Sequence, residues 1–330
     1  MRLPDDAPTL ADIYRARRAI HGYVRRTPLV YSEWLSRRFD CQAWLKLETL
    51  QPIGAFKLRG ASYAMQRLEP EQRRAGVVTC STGNHGRAIA HAGKKLGVDT
   101  VICMSHLVPE NKVAVIRELG ATVQIIGDSQ DEAEGEALRL VREEGRTYLP
   151  PFDHPDIIAG QGTIGLEILE DLPEVETIFC GLSGGGLLAG IGLAVKAARP
   201  DLELIGVSMQ QGAAMVASLA AGSPVRVTER ASLADSLGGG IGDHNRYTLP
   251  LVRSLMDRSF LVSEDAIARA MVAFLEHERQ LVEGAAVVGI AAVEEHSIDL
   301  RGCQVVFVIS GNNLSLETFD RARAIARDTG

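Results

Sequence analysis

Short runs rich in valine and isoleucine recur along the chain, separated by longer segments of helical period, and the breaks between them carry Gly, Ser or Asn. A short continuous apolar run reads as a strand buried on both faces, and such strands need helices packed on both sides of their sheet. The chain is thereby constrained to an α/β fold built on parallel strands. The predicted strands are AWLKLE (43–48), GVVTC (76–80), TVICMS (100–105), TVQIIG (122–127), ETIFCG (176–181), LELIGVS (202–208) and QVVFVIS (304–310). Helices fill most of the gaps, among them NKVAVIRELG and SEDAIARAMVAFLEHE, the second opened by Ser263 as N-cap with acids in its first turn. No repeat, low-complexity tract or flexible linker marks a boundary. The alternation within residues 61–149 is self-contained, so this segment is expected to form a small α/β domain inserted in a large one made of 1–60 and 150–330.

Length and composition narrow the function. A chain of 330 residues, 46% hydrophobic and 23% charged, has the make-up of a globular protein with room for about two domains. The net charge of −7 and the dispersal of the N-terminal arginines among apolar and acidic residues argue against nucleic-acid binding. The first residues have no apolar core of signal-peptide type, and the longest apolar run, GGGLLAGIGLAV, is too short and glycine-rich to span a bilayer. A cytoplasmic location without membrane contact is expected. The five cysteines form no CxxC pair and read as reduced residues, four of them in or beside apolar runs. The scattered histidines offer no metal-ligand spacing, and HPD at 154–156 reads as a turn. No metal site is expected.

Chemistry concentrates in four places. In QPIGAFKLRGA (51–61), Lys57 follows a Pro-Gly turn and lies among Ile53, Ala55, Phe56 and Leu58. Desolvation lowers a lysine pKa and makes the amine a nucleophile toward carbonyl compounds, whereas a lysine at a helix start ordinarily snorkels to water. That stretch alone leaves both readings open. Three strand-to-helix turns are the other places, at the strand ends where parallel sheets collect ligands. Ser81, Thr82, Gly83, Asn84, His85 and Gly86 form a turn whose amides and polar side chains suit a carboxylate or phosphate, or simply cap a helix. Ser183, Gly184, Gly185 and Gly186 let the backbone close round an anion at a helix N-terminus. Leu187 and Leu188 stand where a P-loop needs lysine and Ser or Thr, and the next strand ends in Ser208, Met209 and Gln210 rather than the acid of a dinucleotide site. GLSGG also matches a serine-hydrolase elbow with Ser183 as nucleophile. The last turn delivers Ser310 into Gly-Asn-Asn, where its hydroxyl can face a heterocycle or cap the turn.

Together, and in this order from RTPLVYS to SGNNLS, these motifs resemble the fold type II pyridoxal-phosphate enzymes, in particular the threonine dehydratase and serine racemase group. The resemblance implies a tryptophan synthase β-like α/β fold of two lobes with mostly parallel sheets. It implies that Lys57 binds the aldehyde of pyridoxal 5'-phosphate, with Phe56 near the ring and Asn84 on the ring hydroxyl. Ser183, Gly184, Gly185, Gly186 and Leu187 would cradle the phosphate, and Ser310 would face the pyridine nitrogen. The turn Ser81, Thr82, Gly83, Asn84 and His85 would bind the carboxylate of an amino acid substrate.

The implied reaction is loss of the β-hydroxyl and then of ammonia, leaving a keto acid, with Lys57 as general base. A homo-oligomer, dimer or tetramer, is expected with it. Within the group, QPIGAFKLRGA and SLADSLGGGIG (232–242) are most similar to dehydratases of hydroxyectoine utilisation. The chain ends soon after the last motif, so the regulatory domain of biosynthetic threonine dehydratases, and feedback by isoleucine, are not expected. Met209 stands where metal-binding relatives carry a glutamate. Thr82 stands where racemases carry a serine acting opposite the lysine; its β-branch and methyl favour elimination, with racemisation as the alternative.

Overall fold

A computed structural model describes residues 3–81, 83–108 and 110–328. Among the described residues ten strands form two sheets: β1 (Leu29–Tyr31), β2 (Gln42–Leu47), β3 (Val77–Cys80), β4 (Thr100–Met104), β5 (Thr122–Ile125), β6 (Thr147–Tyr148), β7 (Thr177–Gly181), β8 (Glu203–Met209), β9 (Arg258–Val262) and β10 (Gln304–Ile309). The six-stranded sheet has the order β1-β2-β10-β7-β8-β9, and the four-stranded sheet the order β5-β4-β3-β6. Every pairing is parallel except β1 with β2. All seven predicted strands are present, and β1, β6 and β9 join them. The smaller sheet is drawn entirely from residues 77–148.

Burial explains the strand sequences. β10 lies inside the larger sheet, and Val305, Val306, Phe307, Val308 and Ile309 are all buried, alternately toward two apolar clusters on opposite faces. Such a strand is apolar at consecutive positions instead of every second one. A third cluster, containing Ile89, Ile102, Met104 and Ile116, packs one face of the smaller sheet, and Val78, Val101, Ala137 and Leu140 pack the other. The Glu264–Glu278 helix begins as expected, with Ser263 Oγ accepting from the Ala266 N–H. Among the described residues no disulfide joins the cysteines, and Cys41, Cys80, Cys103 and Cys180 are buried.

Two helix crossings at backbone contact fix the distance between the future site's halves. A Cβ on Gly60, in the Lys57–Gln66 helix, would lie 2.7 Å from the Ile157 carbonyl, and one on Gly190, in the Gly186–Ala198 helix, 2.6 Å from the Gly162 nitrogen. Gly160 and Gly162 on the intervening Pro155–Asp171 helix face these partners. Removing the side chains at the crossings brings the helix carrying Lys57 and the helix following the Ser183 turn against one common spacer.

Candidate active site

The loaded turns meet at the carboxyl ends of β3, β7 and β10, with Lys57 closing the group from the end of β2. The Phe56 N–H donates to the Ser310 carbonyl at 3.0 Å, and Ala55 bridges Gly311, so the segment entering the Lys57 helix is tied to the end of β10. Lys57 is the first residue of its helix, and its ammonium donates to the Pro151 carbonyl at 2.6 Å and lies 5.4 Å from the centre of the Phe56 ring. Burial alone pushes the Lys57 pKa down to about 8, so a sizeable share is neutral amine near physiological pH.

The Pro151 carbonyl belongs to a segment that also shapes the glycine turn. Phe152 sits against that turn, since a Cβ on Gly184 would fall 2.2 Å from its Cδ1 and one on Gly186 3.1 Å from its Cα. Gly185 adopts φ +86°, and a Cβ there would meet Met215 and Val252 methyl carbons at 2.8 Å. Only glycine suits this conformation, and Gly185 is the N-cap of a helix that has no side-chain cap, so its first amides remain available as donors. Leu187 is buried in the first turn, 6% exposed, and Ser183 stands at the mouth, partly exposed. Among the described residues Ser183 hydrogen-bonds no histidine, which leaves the hydrolase reading without its base.

On the β3 side, the Asn84–Leu96 helix starts after Gly83 with no side-chain cap. A Cβ on Gly86 would lie 2.2 Å from the Ser81 carbonyl, so the turn folds back onto its own helix. Asn84 Nδ2 donates to both Glu283 oxygens, at 3.0 and 3.1 Å, and its Oδ1 accepts from Asn313. His85 is 3% exposed; burial, then the Lys57 charge, push its pKa down to about 3, so it is neutral. Its Nε2 lies 2.9 Å from the Leu149 carbonyl, which accepts only, so Nε2 carries the proton and the buried Nδ1 is an unpartnered acceptor. Thr82 lies outside the described residues.

Several contributors escaped the sequence reading. Pro151 and Phe152 act through backbone and ring position, for which no motif exists, and Glu283, 3% exposed, precedes a helix start and reads as an ordinary cap. Behind Lys57 lies a buried ionic quartet: Arg59 pairs with Glu48 at 2.7 Å and Glu167 at 2.6 Å, and Lys46 pairs with Glu167 at 2.6 Å. Burial pushes Glu167 up, but Arg59 and Lys46 outweigh it and hold its carboxyl below the usual range. HPD, expected as a turn, is instead a helix start: His154 is the N-cap, its Nδ1 accepting from the Asp156 N–H at 3.2 Å, and proline suits the first helical position because its missing N–H has no partner to lose there.

A desolvated amine with a lowered pKa, a glycine cradle no other residue could form and two uncapped helix starts are a donor set suited to a phosphorylated aldehyde. Pyridoxal phosphate is such a group. Comparison with known proteins agrees. A profile of the family described as "Pyridoxal-phosphate dependent enzyme" matches residues 20–311. A putative threonine dehydratase from Sinorhizobium fredii is 53% identical, the match covering 93% of each chain. An L-threonine ammonia-lyase from Thermotoga maritima is 40% identical over 95% of this chain and 77% of its own. The solved structure of maize serine racemase superposes with a TM-score of 0.89 at 32% identity, covering 98% of this chain and 99% of the other. The chain therefore belongs to the fold type II pyridoxal-phosphate dependent enzymes.

Proposed function

We propose that the protein is a pyridoxal-phosphate ammonia-lyase that removes water and then ammonia from a β-hydroxy amino acid, threonine or serine, and releases a keto acid. The observation that carries this reading is the desolvated Lys57 amine, held by Pro151 beside the Gly184–Gly186 cradle, in a chain whose relatives bear threonine dehydratase and ammonia-lyase names. When bound, the cofactor supplies an aldehyde for the substrate amine and a conjugated ring that delocalises negative charge from the α-carbon. Ser183, Gly184, Gly185, Gly186 and Leu187 hold its phosphate with backbone amides at a helix start. Phe56 flanks the ring, Asn84 donates to the ring hydroxyl, and the Ser310 hydroxyl faces the pyridine nitrogen. The turn Ser81, Thr82, Gly83, Asn84 and His85 receives the substrate carboxylate.

Lys57, as a neutral amine beside the bound substrate, would take the α-proton. Its pKa, lowered to about 8 by burial, leaves a larger neutral fraction at working pH than an ordinary lysine has. Residues 61–149 act as the small domain and 1–60 with 150–330 as the large one, with the substrate between them, and the chain works as a homo-oligomer, dimer or tetramer. In this reading segment 232–242, whose Ser236 Oγ donates to Glu283 at 2.9 Å, chooses the substrate side chain, including that of a hydroxyectoine-derived amino acid.

The test is keto-acid and ammonia release from threonine, serine and other β-hydroxy amino acids. Release from none of them would refute the proposal. The likeness to serine racemase favours one second reading, racemisation with Thr82 as the opposite acid-base group. Incubation with one serine enantiomer separates the two: elimination gives pyruvate faster than the other enantiomer, and Thr82→Ala preserves it. The reverse order, lost in Thr82→Ala, would favour the racemase.

A further inference from the structure

Two amides and two charged side chains form one continuous line beside Asn84. Arg87 Nη1 donates to Asn313 Oδ1 at 2.8 Å. Asn313 Nδ2 donates to Asn84 Oδ1 at 2.7 Å and to the Ile53 carbonyl at 2.8 Å. Asn84 Nδ2 in turn donates to both oxygens of Glu283. A guanidinium only donates and a carboxylate only accepts, so the polarity of both amides is set from both ends. Turning Asn313 over would set its NH₂ against Arg87 and its oxygen against the Ile53 carbonyl. Turning Asn84 over would set its oxygen against a buried carboxylate.

Glu283 is built for this task. It precedes the Gly284–His296 helix, yet its side chain makes no cap to that helix. Instead it accepts from Asn84, from Ser236 Oγ at 2.9 Å and from the Asn313 N–H at 2.8 Å. Gly311 admits it, because a Cβ there would lie 2.9 Å from Glu283 Oε1. Both Glu283 oxygens sit at nearly equal distance from one Asn84 nitrogen, as a single N–H straddling the carboxylate gives, so the second N–H remains for a ligand.

We propose that Glu283, with Arg87 and Asn313, is a positioning residue that locks the Asn84 amide with its NH₂, never its oxygen, toward the ring oxygen of pyridoxal phosphate. This rests on the proposed contact between Asn84 and that oxygen. Without the lock the amide has two orientations of similar shape, and one of them sets oxygen against oxygen.

The test measures the pyridoxal phosphate dissociation constant and the visible absorption band of the holoenzyme in Glu283→Gln, Asn84→Ala and the double variant. Glutamine keeps the shape of Glu283 but can present either a donor or an acceptor. Glu283→Gln is expected to weaken cofactor binding about tenfold and to shift the band. In the Asn84→Ala background the same change is expected to stay within about twofold. An unchanged band and affinity in Glu283→Gln would overturn the proposal, as would an equal further loss in the Asn84→Ala background, which would mean that Glu283 acts through its helix. Arg87→Met, at the far end, is expected to shift the band in the same direction by less, and no shift would contradict the relay. If Asn84→Ala itself leaves affinity unchanged, the Asn84 contact fails and the proposal with it. Borohydride labelling of Lys57 would then still show whether the cofactor assignment holds.

Discussion

Arg59→Met tests whether buried charge fixes the helix that begins at Lys57. Arg59 donates to Glu48 at 2.9 and 2.7 Å, to Glu167 at 2.6 and 2.8 Å, to Thr163 at 3.1 Å and to Thr27 at 3.3 Å. Two cations, Arg59 and Lys46, balance two anions, Glu48 and Glu167, and all four are buried. Methionine fills similar apolar volume, so the change chiefly removes charge and leaves one net negative charge without solvent. Removing one member of a buried pair costs about 3–5 kcal/mol, a large part of the roughly 5–15 kcal/mol that holds a domain folded. Urea denaturation should show a midpoint lower by about 1–2 M. Arg59→Lys keeps the charge but not the planar fork and should fall between.

The pH dependence of that difference has a definite sign. The Glu167 pKa is held below its unfolded value, so its contribution is present above the unfolded value and lost as pH falls through the folded one. The gap between Arg59→Met and the parent should therefore narrow in acid, where the stranded carboxylates take up protons. A loss below about 1 kcal/mol, or one that does not shrink in acid, would refute the reasoning.

Other outcomes follow from the site. Because burial brings Lys57 down to about 8, the rate at which cofactor-free protein captures pyridoxal phosphate should rise between about pH 7 and pH 9 and then level off; a rise continuing to 10.5, the ordinary lysine value, would contradict the desolvated amine. Gly185→Asp places a carboxylate at φ +86° against Met215 and Val252 and beside the phosphate site, so cofactor affinity should fall by about tenfold or more, and equal affinity would count against the cradle. Met209 is 2% exposed in an apolar cluster with Leu233, Ala234 and Leu237, and among the described residues no group of three or more His, Cys, Asp or Glu is placed to hold a metal. Chelator treatment should leave activity and Tm nearly unchanged, and a loss restored by magnesium or calcium would contradict this.

The parts of the molecule legible in the sequence are those where one requirement dominates. QVVFVI is apolar at successive positions because both its faces are covered, and consecutive glycines at 184–186 answer to a cradle that leaves no room for a Cβ. β9 was missed because Arg258 and Ser259 are exposed at the sheet edge, and β1 and β6 because three and two residues carry no period. Glu283 meets Asn84 across 199 residues of chain, and no local pattern announces such a contact. The ionic quartet did leave a trace. Glu167 is the single charge in IIAGQGTIGLEIL and Lys46 interrupts the apolar AWLKL, and a charge inside such a run implies a buried partner.

Borohydride reduction of the holoenzyme followed by peptide mapping tests the assignment of Lys57 most directly. If Lys57 carries the cofactor, the purified protein is yellow, reduction bleaches it, and the pyridoxyl mass appears on the peptide containing Lys57. Lys57→Ala should then stay folded, take no label and fail to complete turnover. A label on another lysine, such as the buried Lys46, with activity retained in Lys57→Ala, would contradict the assignment.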